Sequence, residues 1–421
     1  MQKVLVITYY WPPSSGAGVQ RWLKFSKYLP SFGWEPVILT IEPQYATFPA
    51  VDRSLEKDVS GELTVYKTRA ADYFRLYRRD KSKIPSAGFA TSAESGLLSK
   101  ILRFVRGNFF VPDPRRGWNR YAFHKASEII KQFNIGHVIT TSPPHSTQLI
   151  GMRLKKSFPH IRWIADLRDP WTDIYYYSLF YHTPPVKAID RALEKKVLAS
   201  ADTIITVGNT LAMDFIARLP SIRKKVNVIT NGFDEDDFSG IISENPDKLT
   251  ITYTGTLSES YPLKGFLEAV NRYIQAWRHV RLRFIGTVAK IQKDLILASA
   301  GNEEVEFIPH VDHQAAIRYM HDTSVLLLII PDHRSSKAIL TGKLFEYIAC
   351  RKPVLCLGPV DGDASDIISE TSSGKTFDHS DSGSILNFLE NYGAEGPDNS
   401  ADIAPFSRRS LTERLAKILS D

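Results

Sequence analysis

Five short stretches of this chain combine small, hydroxyl, cationic and acidic residues at spacings that suit ligand binding or catalysis. The first is Tyr9-Tyr10-Trp11-Pro12-Pro13-Ser14-Ser15-Gly16-Ala17-Gly18-Val19-Gln20-Arg21, between an apolar run and a helical pattern. Glycine at Gly16 and Gly18 lets the backbone come close to a ligand, and a helix N-terminus favours an anion. Arg21 stands where the third glycine of G-x-G-x-x-G belongs, so this is not the dinucleotide fingerprint. An ordinary tight turn would carry the same residues.

The second stretch, Thr141-Ser142-Pro143-Pro144-His145-Ser146, puts one histidine where a strand pattern ends and a helix opens. Ligands of open α/β sheets gather at that edge, although a lone histidine is as readily structural. The third, Asp166-Leu167-Arg168-Asp169-Pro170-Trp171, places charges at another strand exit. They could bind hydroxyl groups or simply pair with each other. In the fourth, Thr254-Gly255-Thr256-Leu257 closes a strand and Lys264-Gly265 opens a helix. A cation over a helix N-terminus suits a diphosphate, and a surface lysine is the plainer alternative. The fifth, Thr341-Gly342-Lys343-Leu344-Phe345-Glu346-Tyr347, begins a helix whose first amides can also meet phosphate. Glu346 could take a vicinal diol such as ribose. No cysteine–histidine cluster suggests a metal.

These stretches need a scaffold that brings strand ends together. Apolar, β-branched runs at Val4–Thr8, Pro36–Thr40, His137–Thr141, Ile161–Ala165 and Thr203–Val207 read as buried parallel strands. A helix with Trp22, Phe25, Leu29 and Phe32 on one face, ended by Gly33, separates the first two. After Asn231-Gly232 the pattern restarts, with strands at Thr250–Tyr253, Arg281–Ile285, Val305–Ile308, Val325–Ile330 and Pro353–Leu357. Helical stretches near 265–277, 288–300, 313–321, 341–350 and 384–392 lie between or after them, and a last helix spans Ser407–Leu419. Alternating strands and helices imply two doubly wound α/β units. The expected division is residues 1–232, 233–404, and a closing segment 405–421 that crosses back to the first unit.

The chain has 421 residues, 43% of them hydrophobic, and a net charge of +7. The charge is local: residues 69–125 hold 13 Lys/Arg against four Asp/Glu, an excess of 13 − 4 = 9. The insertion at 70–120 therefore suggests one anionic partner, such as a membrane surface, or a soluble lobe that shapes a binding site. With the basic residues in one insertion and no recognition motif, nucleic acid is not the expected partner. Two cysteines, Cys350 and Cys356, make neither a metal cage nor a disulfide framework, which fits a reducing cytoplasm. The longest aliphatic run, Val325–Ile330, is far short of the roughly 20 residues a membrane-spanning helix needs. The apolar start at Val4–Ile7 reads as a strand rather than a signal-peptide core.

Taken in order, these motifs resemble glycosyltransferase family 4, retaining enzymes of the GT-B fold: two facing Rossmann-like domains with a cleft between them. The match extends to Asn231-Gly232-Phe233-Asp234, Lys352-Pro353-Val354 and Phe406-Ser407-Arg408-Arg409. The chain is similar to bacterial members that build surface polysaccharides on a lipid carrier. The resemblance implies a nucleotide diphosphate-sugar donor, a glycan or lipid-linked acceptor, no cofactor and no divalent metal. The enzyme would be cytoplasmic, peripheral on the inner face of the membrane.

By the same resemblance, Gly16 and Gly18 approach the donor phosphates and the acceptor, Lys264 holds the diphosphate, Glu346 the ribose and His145 the donor sugar. The base lies against Phe307–Val311, which includes His310, and Thr256, Thr341, Gly342 and Lys343 complete the donor set. His145, Lys264 and Asp166 are the catalytic candidates; Arg21, Arg168 and Asp169 are the acceptor candidates. Two positions depart from the family. Thr256 stands where members often carry arginine, so the diphosphate would rest on Lys264 with help from Lys343. Ala338 replaces the first of two paired glutamates, and amides near Ile339–Thr341 would have to substitute. A sugar-nucleotide epimerase of the same build, or a silent nucleotide-sugar-binding scaffold, are the competing expectations.

Overall fold

A computed structural model describes residues 1–48, 51–71, 97–241, 246–276, 279–301, 304–391 and 401–421. They form two compact units. The first comprises described residues of 1–86 and 93–231 together with 408–421; the second is drawn from 232–407.

The first unit is a wholly parallel sheet of β1 (Gln2–Ile7), β2 (Trp34–Ile41), β3 (Thr64–Thr68), β4 (His137–Ser142), β5 (Arg162–Leu167), β6 (Thr203–Thr206) and β7 (Val226–Val228), in the order β3-β2-β1-β4-β5-β6-β7. Val6 of β1 pairs with Ile38 on one side and Ile139 on the other. Alternation along β1 feeds two cores. Val4 and Val6 meet Trp22, Phe25 and Leu29 of α1 (Ala17–Tyr28) and its continuation. Leu5 and Ile7 belong with Trp118, Ala122 and Ile129. Further helices are α2 (Leu97–Phe109), α3 (Asn119–Phe133), α4 (Ser146–Ser157), α5 (Pro184–Ser200) and α6 (Asn209–Arg218). The α pattern that runs to Phe32 in the sequence breaks after Tyr28: Pro30 lacks an N–H, and Leu29–Phe32 tighten into a 3-10 turn that ends at Gly33 with φ 83°.

The second unit is also parallel. Its strands are β8 (Leu249–Thr254), β9 (Val280–Ile285), β10 (Val305–Ile308), β11 (Val325–Ile329), β12 (Val354–Leu357) and β13 (Gly374–Phe377), in the order β10-β9-β8-β11-β12-β13. Its helices are α7 (Lys264–Gln275), α8 (Lys290–Ala300), α9 (His313–His321), α10 (Gly342–Ala349), α11 (Asp363–Glu370) and α12 (Ser382–Glu390). The chain then returns to the first unit as α13 (Arg408–Ser420), which lies on α1 with Leu411, Leu415 and Leu419 in the same core. The exit and return strands run side by side: Phe233 N–H donates to Phe406 O at 3.2 Å.

Both sheets reverse winding direction once, between β1 and β4 and between β8 and β11. At such a point the strand ends open a crevice for ligands. Three strands escape the sequence pattern. β3 and β13 are edge strands, and β7 has only three residues, so none shows the continuous apolar run of a strand covered on both faces. The sequence pattern also gives no range for α3, α5, α6 or α11. Much of the 70–120 insertion, residues 72–96, lies outside the described residues. Its end is part of the core: Trp118 is buried and its indole donates to Thr68 Oγ1 at 2.8 Å.

Candidate functional site

At the switch point of the second unit, β8 ends in Thr254 and turns at Gly255, whose φ of +109° is one that residues with a side chain rarely adopt. α10 is fastened to this turn by Tyr347. Its buried hydroxyl accepts the Thr254 N–H at 3.0 Å and lies 3.1 Å from Thr254 Oγ1. Lys343 is four residues earlier, on the same helical face. Its Nζ therefore comes within 3.1 Å of where a Cβ on Gly255 would stand, and 4.0 Å above the Tyr253 ring. Burial, only partly offset by Glu346, pulls the Lys343 pKa down to about 7. The Thr341 hydroxyl, at the N-cap of α10, is buried and makes no hydrogen bond among the described residues. Of the first amides of α10, that of Leu344 donates to Thr341 O at 3.3 Å, while those of Gly342 and Lys343 have no acceptor within the helix. A lysine at the N-terminal turn of α10 thus meets a glycine turn, a combination that suits an anion.

The other members of the expected donor set fall at different places. Thr256 is exposed beyond Gly255, with its carbonyl accepting the Tyr253 hydroxyl at 2.8 Å. Gly342 and Glu346 are half-buried on α10. His310 is exposed just past β10. Lys264 opens α7 with its side chain 91% exposed and its ammonium 3.9 Å from Glu268. It borders a groove of about 770 Å³ shared with Tyr261, Gln292 and Leu295 of the α8 side. The cation that the fold brings against Gly255 is Lys343. Of the amides near Ile339–Thr341 expected to replace the missing glutamate, the first is already engaged. Ala338 and Ile339 donate to Ser335 and Ser336 inside a 3-10 turn, so only those from Leu340 onward remain.

In the first unit, two of the expected site residues are fully buried. Asp166, a catalytic candidate, has no exposed surface, and neither has Arg21, an acceptor candidate. The Asp166 carboxylate accepts from Arg21 Nη2 at 3.0 Å, Trp22 Nε1 at 2.9 Å and Thr141 Oγ1 at 2.7 Å. Arg21 donates its remaining reach to Thr230 O at 2.7 Å and lies over Phe25. The pair ties α1 to β4 and β5 and faces no solvent. Gly18 is also explained from within: a Cβ there would stand 2.0 Å from Arg168 Nη1. Gly16, by contrast, caps α1 with φ 107° and looks onto open space.

Arg168 and Asp169 are half-buried at the end of β5, with Arg168 Nε donating to Ser142 O at 2.9 Å. Burial raises the Asp169 pKa, against the pull of Arg168. His145 is buried, stacked on Trp171 with ring centroids 5.0 Å apart, and neither ring nitrogen makes a hydrogen bond among the described residues. Burial, opposed by Asp113, lowers its pKa to about 4, so the ring is neutral near pH 7. Trp171 is held in turn by Asp190, which accepts its indole N–H at 2.8 Å and the Tyr177 hydroxyl at 2.9 Å. Sequence reasoning missed Asp113 as well. It accepts from Ser146 N at 2.7 Å and Oγ at 2.8 Å, so the N-terminus of α4 already has its anion.

With this geometry in place, comparison with known proteins is informative. The profile described as Glycosyltransferase Family 4 matches residues 21–237, just over half of the chain. No curated protein matches in sequence. A glycosyltransferase from Rickettsia africae superposes with a TM-score of 0.62 at 14% identity, over 99% of this chain and 97% of that one. TarM of S. aureus, solved with fondaparinux, alpha-GlcNAc-glycerol and UDP, gives 0.61 at 11% identity over the whole of both chains, 100% and 100%. A Listeria monocytogenes protein assigned as a UDP-N-acetylglucosamine 2-epimerase gives 0.57 at 10% identity, covering 99% and 95%. At such identities the likeness shows the fold, which is GT-B.

Two outcomes follow from the first unit. Asp166→Asn leaves a guanidinium buried without its counter-charge and should cost about 3–5 kcal/mol, read from urea unfolding; a loss below about 1 kcal/mol would contradict the pairing. His145 has a folded pKa near 4 against 6.5 unfolded, so the unfolded chain binds the extra proton between those values. Stability from this residue is complete above about pH 6.5 and is lost as pH falls toward about 4, by about 3 kcal/mol at most. His145→Gln should remove that part of the pH dependence, measured as the difference from the native chain.

Proposed function

The chain belongs to Glycosyltransferase Family 4 and is a glycosyltransferase, and on that premise we propose that it moves a sugar from a nucleotide diphosphate-sugar to an acceptor with retention of configuration. The observation that carries this is Lys343 against Gly255 at the mouth of α10. In the proposed mechanism the second unit holds the donor. Lys343 and the first amides of α10 meet the diphosphate and stabilise the charge that grows on it as the sugar leaves, with no call on a divalent metal. Glu346 takes the ribose hydroxyls and the stretch containing His310 takes the base. Lys264, free to swing from its exposed position, adds a second cation. The leaving phosphate oxygen receives the acceptor's proton, so no side-chain base is assigned.

The first unit supplies the neutral ring of His145 for the donor sugar, Gly16 for close backbone approach, and Arg168 and Asp169 for the acceptor. The acceptor we propose is a lipid-linked glycan intermediate of surface polysaccharide synthesis, which would put the enzyme in the cytoplasm at the inner face of a membrane. A second activity, epimerisation of a sugar nucleotide, is suggested by the Listeria structure and would proceed without any acceptor.

Transfer assays with UDP-, GDP- and ADP-sugars, with and without acceptor, separate the two. Acceptor-dependent transfer is expected; acceptor-independent isomerisation would identify an epimerase, and nucleotide-sugar binding with neither would leave a silent binder. In the active case Lys343→Ala should lower kcat/KM for the donor ten- to a hundredfold, the loss of a charge-assisted contact of about 1.5–3 kcal/mol. The native kcat/KM should also decline as pH rises through about 7, where Lys343 loses its proton, and Lys343→Arg should abolish that decline. A Lys343→Ala protein with native kinetics would remove Lys343 from the donor site.

A further inference from the structure

Helix α5 carries two buried carboxylates. Asp190 is 1% and Glu194 3% exposed, and a spacing of four residues puts them on one face of the helix. Burial raises both pKa values, that of Asp190 to about 6. Charged groups held out of water oppose folding, and apolar residues of similar size would pack this face with less penalty. Their partners show what they do instead.

The partners lie chiefly on residues 171–177, a segment after β5 that contains neither α-helix nor strand. Asp190 Oδ1 accepts the Trp171 indole N–H at 2.8 Å, and Oδ2 accepts the Tyr177 hydroxyl at 2.9 Å. Glu194 accepts from the Thr172 hydroxyl at 3.2 Å and from Arg218 Nη1 at 2.9 Å, and Arg218 of α6 also pairs with Asp173. Neighbouring residues Trp171 and Thr172 are thus tied to successive turns of α5, which fixes both the indole and the chain that bears it.

His145 depends on that indole. Its ring lies on Trp171 with 5.0 Å between centroids and 14° between planes. Neither ring nitrogen has a hydrogen-bond partner among the described residues. The Pro170 carbonyl is near enough to favour the charged ring slightly, yet outside hydrogen-bond geometry. The last torsion of a histidine side chain is soft, so with no polar contact to set it the ring takes its plane from the Trp171 face.

We propose that Asp190, assisted by Glu194, is a positioning residue: it orients Trp171, and Trp171 orients the His145 ring for the donor sugar. Asp190 is too deeply buried to touch a substrate and acts only through the two rings. The inference rests on the proposed use of His145 and is tested apart from it.

A double-mutant cycle on kcat/KM reads the coupling. With the UDP-, GDP- or ADP-sugar that supports transfer, Asp190→Ala should lower kcat/KM about ten- to a hundredfold, the scale of a displaced substrate contact. Binding of the matching free nucleoside diphosphate, which has no sugar for His145 to meet, should stay unchanged. In a His145→Ala background Asp190→Ala should cost almost nothing more. Asp190→Asn should recover most of the loss, because its oxygen still accepts the indole N–H and its amide nitrogen can donate to the Tyr177 hydroxyl. Trp171→Phe keeps a ring against His145 but has no N–H for Asp190; it should show the same loss and the same lack of additivity, and it serves if Asp190→Ala does not fold. Losses that add in the double variants, or equal weakening of nucleoside diphosphate binding, would overturn the proposal.

A second reading needs no turnover. In protein made with isotope-labelled histidine, the ring-proton resonance of His145, assigned by its loss in His145→Ala, should be displaced by the indole face and move toward the free-histidine position in Asp190→Ala. An unmoved resonance overturns the proposal. If the resonance moves but no nucleotide-sugar is used, positioning stands and the proposed function falls; transfer with additive losses and an unmoved resonance does the reverse.

Discussion

The hydrogen bond between the Tyr347 hydroxyl and the Thr254 amide sets the geometry of the candidate donor site. Both groups are buried, so each would be left costly without the other. The bond fixes α10 in rotation and in height against the end of β8. The first turns of α10 inherit that placement: Lys343 over Gly255, and Glu346 one helical step on. The site is thus the consequence of one strand end and one helix face held in register at the point where the sheet reverses its winding.

The first unit uses the corresponding position differently. Its switch point is filled with protein charge. Asp166 gathers Arg21, Trp22 and Thr141, and Asp113 occupies the N-terminus of α4. Charged and hydroxyl groups at strand exits there brace the scaffold. The groups that keep a ligand's chemistry are those the brace leaves over: His145, neutral on the face of Trp171, and the half-buried Arg168 and Asp169. One unit thus presents a cation and open amides, and the other presents a neutral ring and a carboxylate held partly out of water.

The sequence made the strands of the two sheets legible wherever both faces are covered, because burial demands continuous apolar runs such as Val4–Ile7 and Val325–Ile329. Edge strands such as β3 and β13 escaped because one side of them meets no neighbour and their composition is free. The motif positions were legible as well, since they sit at strand ends. Their roles were not. Arg21 and Asp166 look like site residues in a list of charges, and only the fold shows that they satisfy each other. Lys264 carries the expected family position, yet spacing alone could not reveal that Lys343 shares a helix face with the tyrosine that anchors it.

The central claim is that Lys343 receives the donor's diphosphate, and the proton it carries gives the most direct test. In the free protein Lys343 has a pKa of about 7. A bound diphosphate would raise it, because an adjacent negative charge favours the ammonium. Calorimetric titration of a nucleotide-sugar donor at about pH 8, in buffers of different ionisation enthalpy, should show uptake of about one proton per donor bound by the native chain and none by Lys343→Arg. Binding of the donor with no proton uptake, or with equal uptake by the arginine variant, would contradict it.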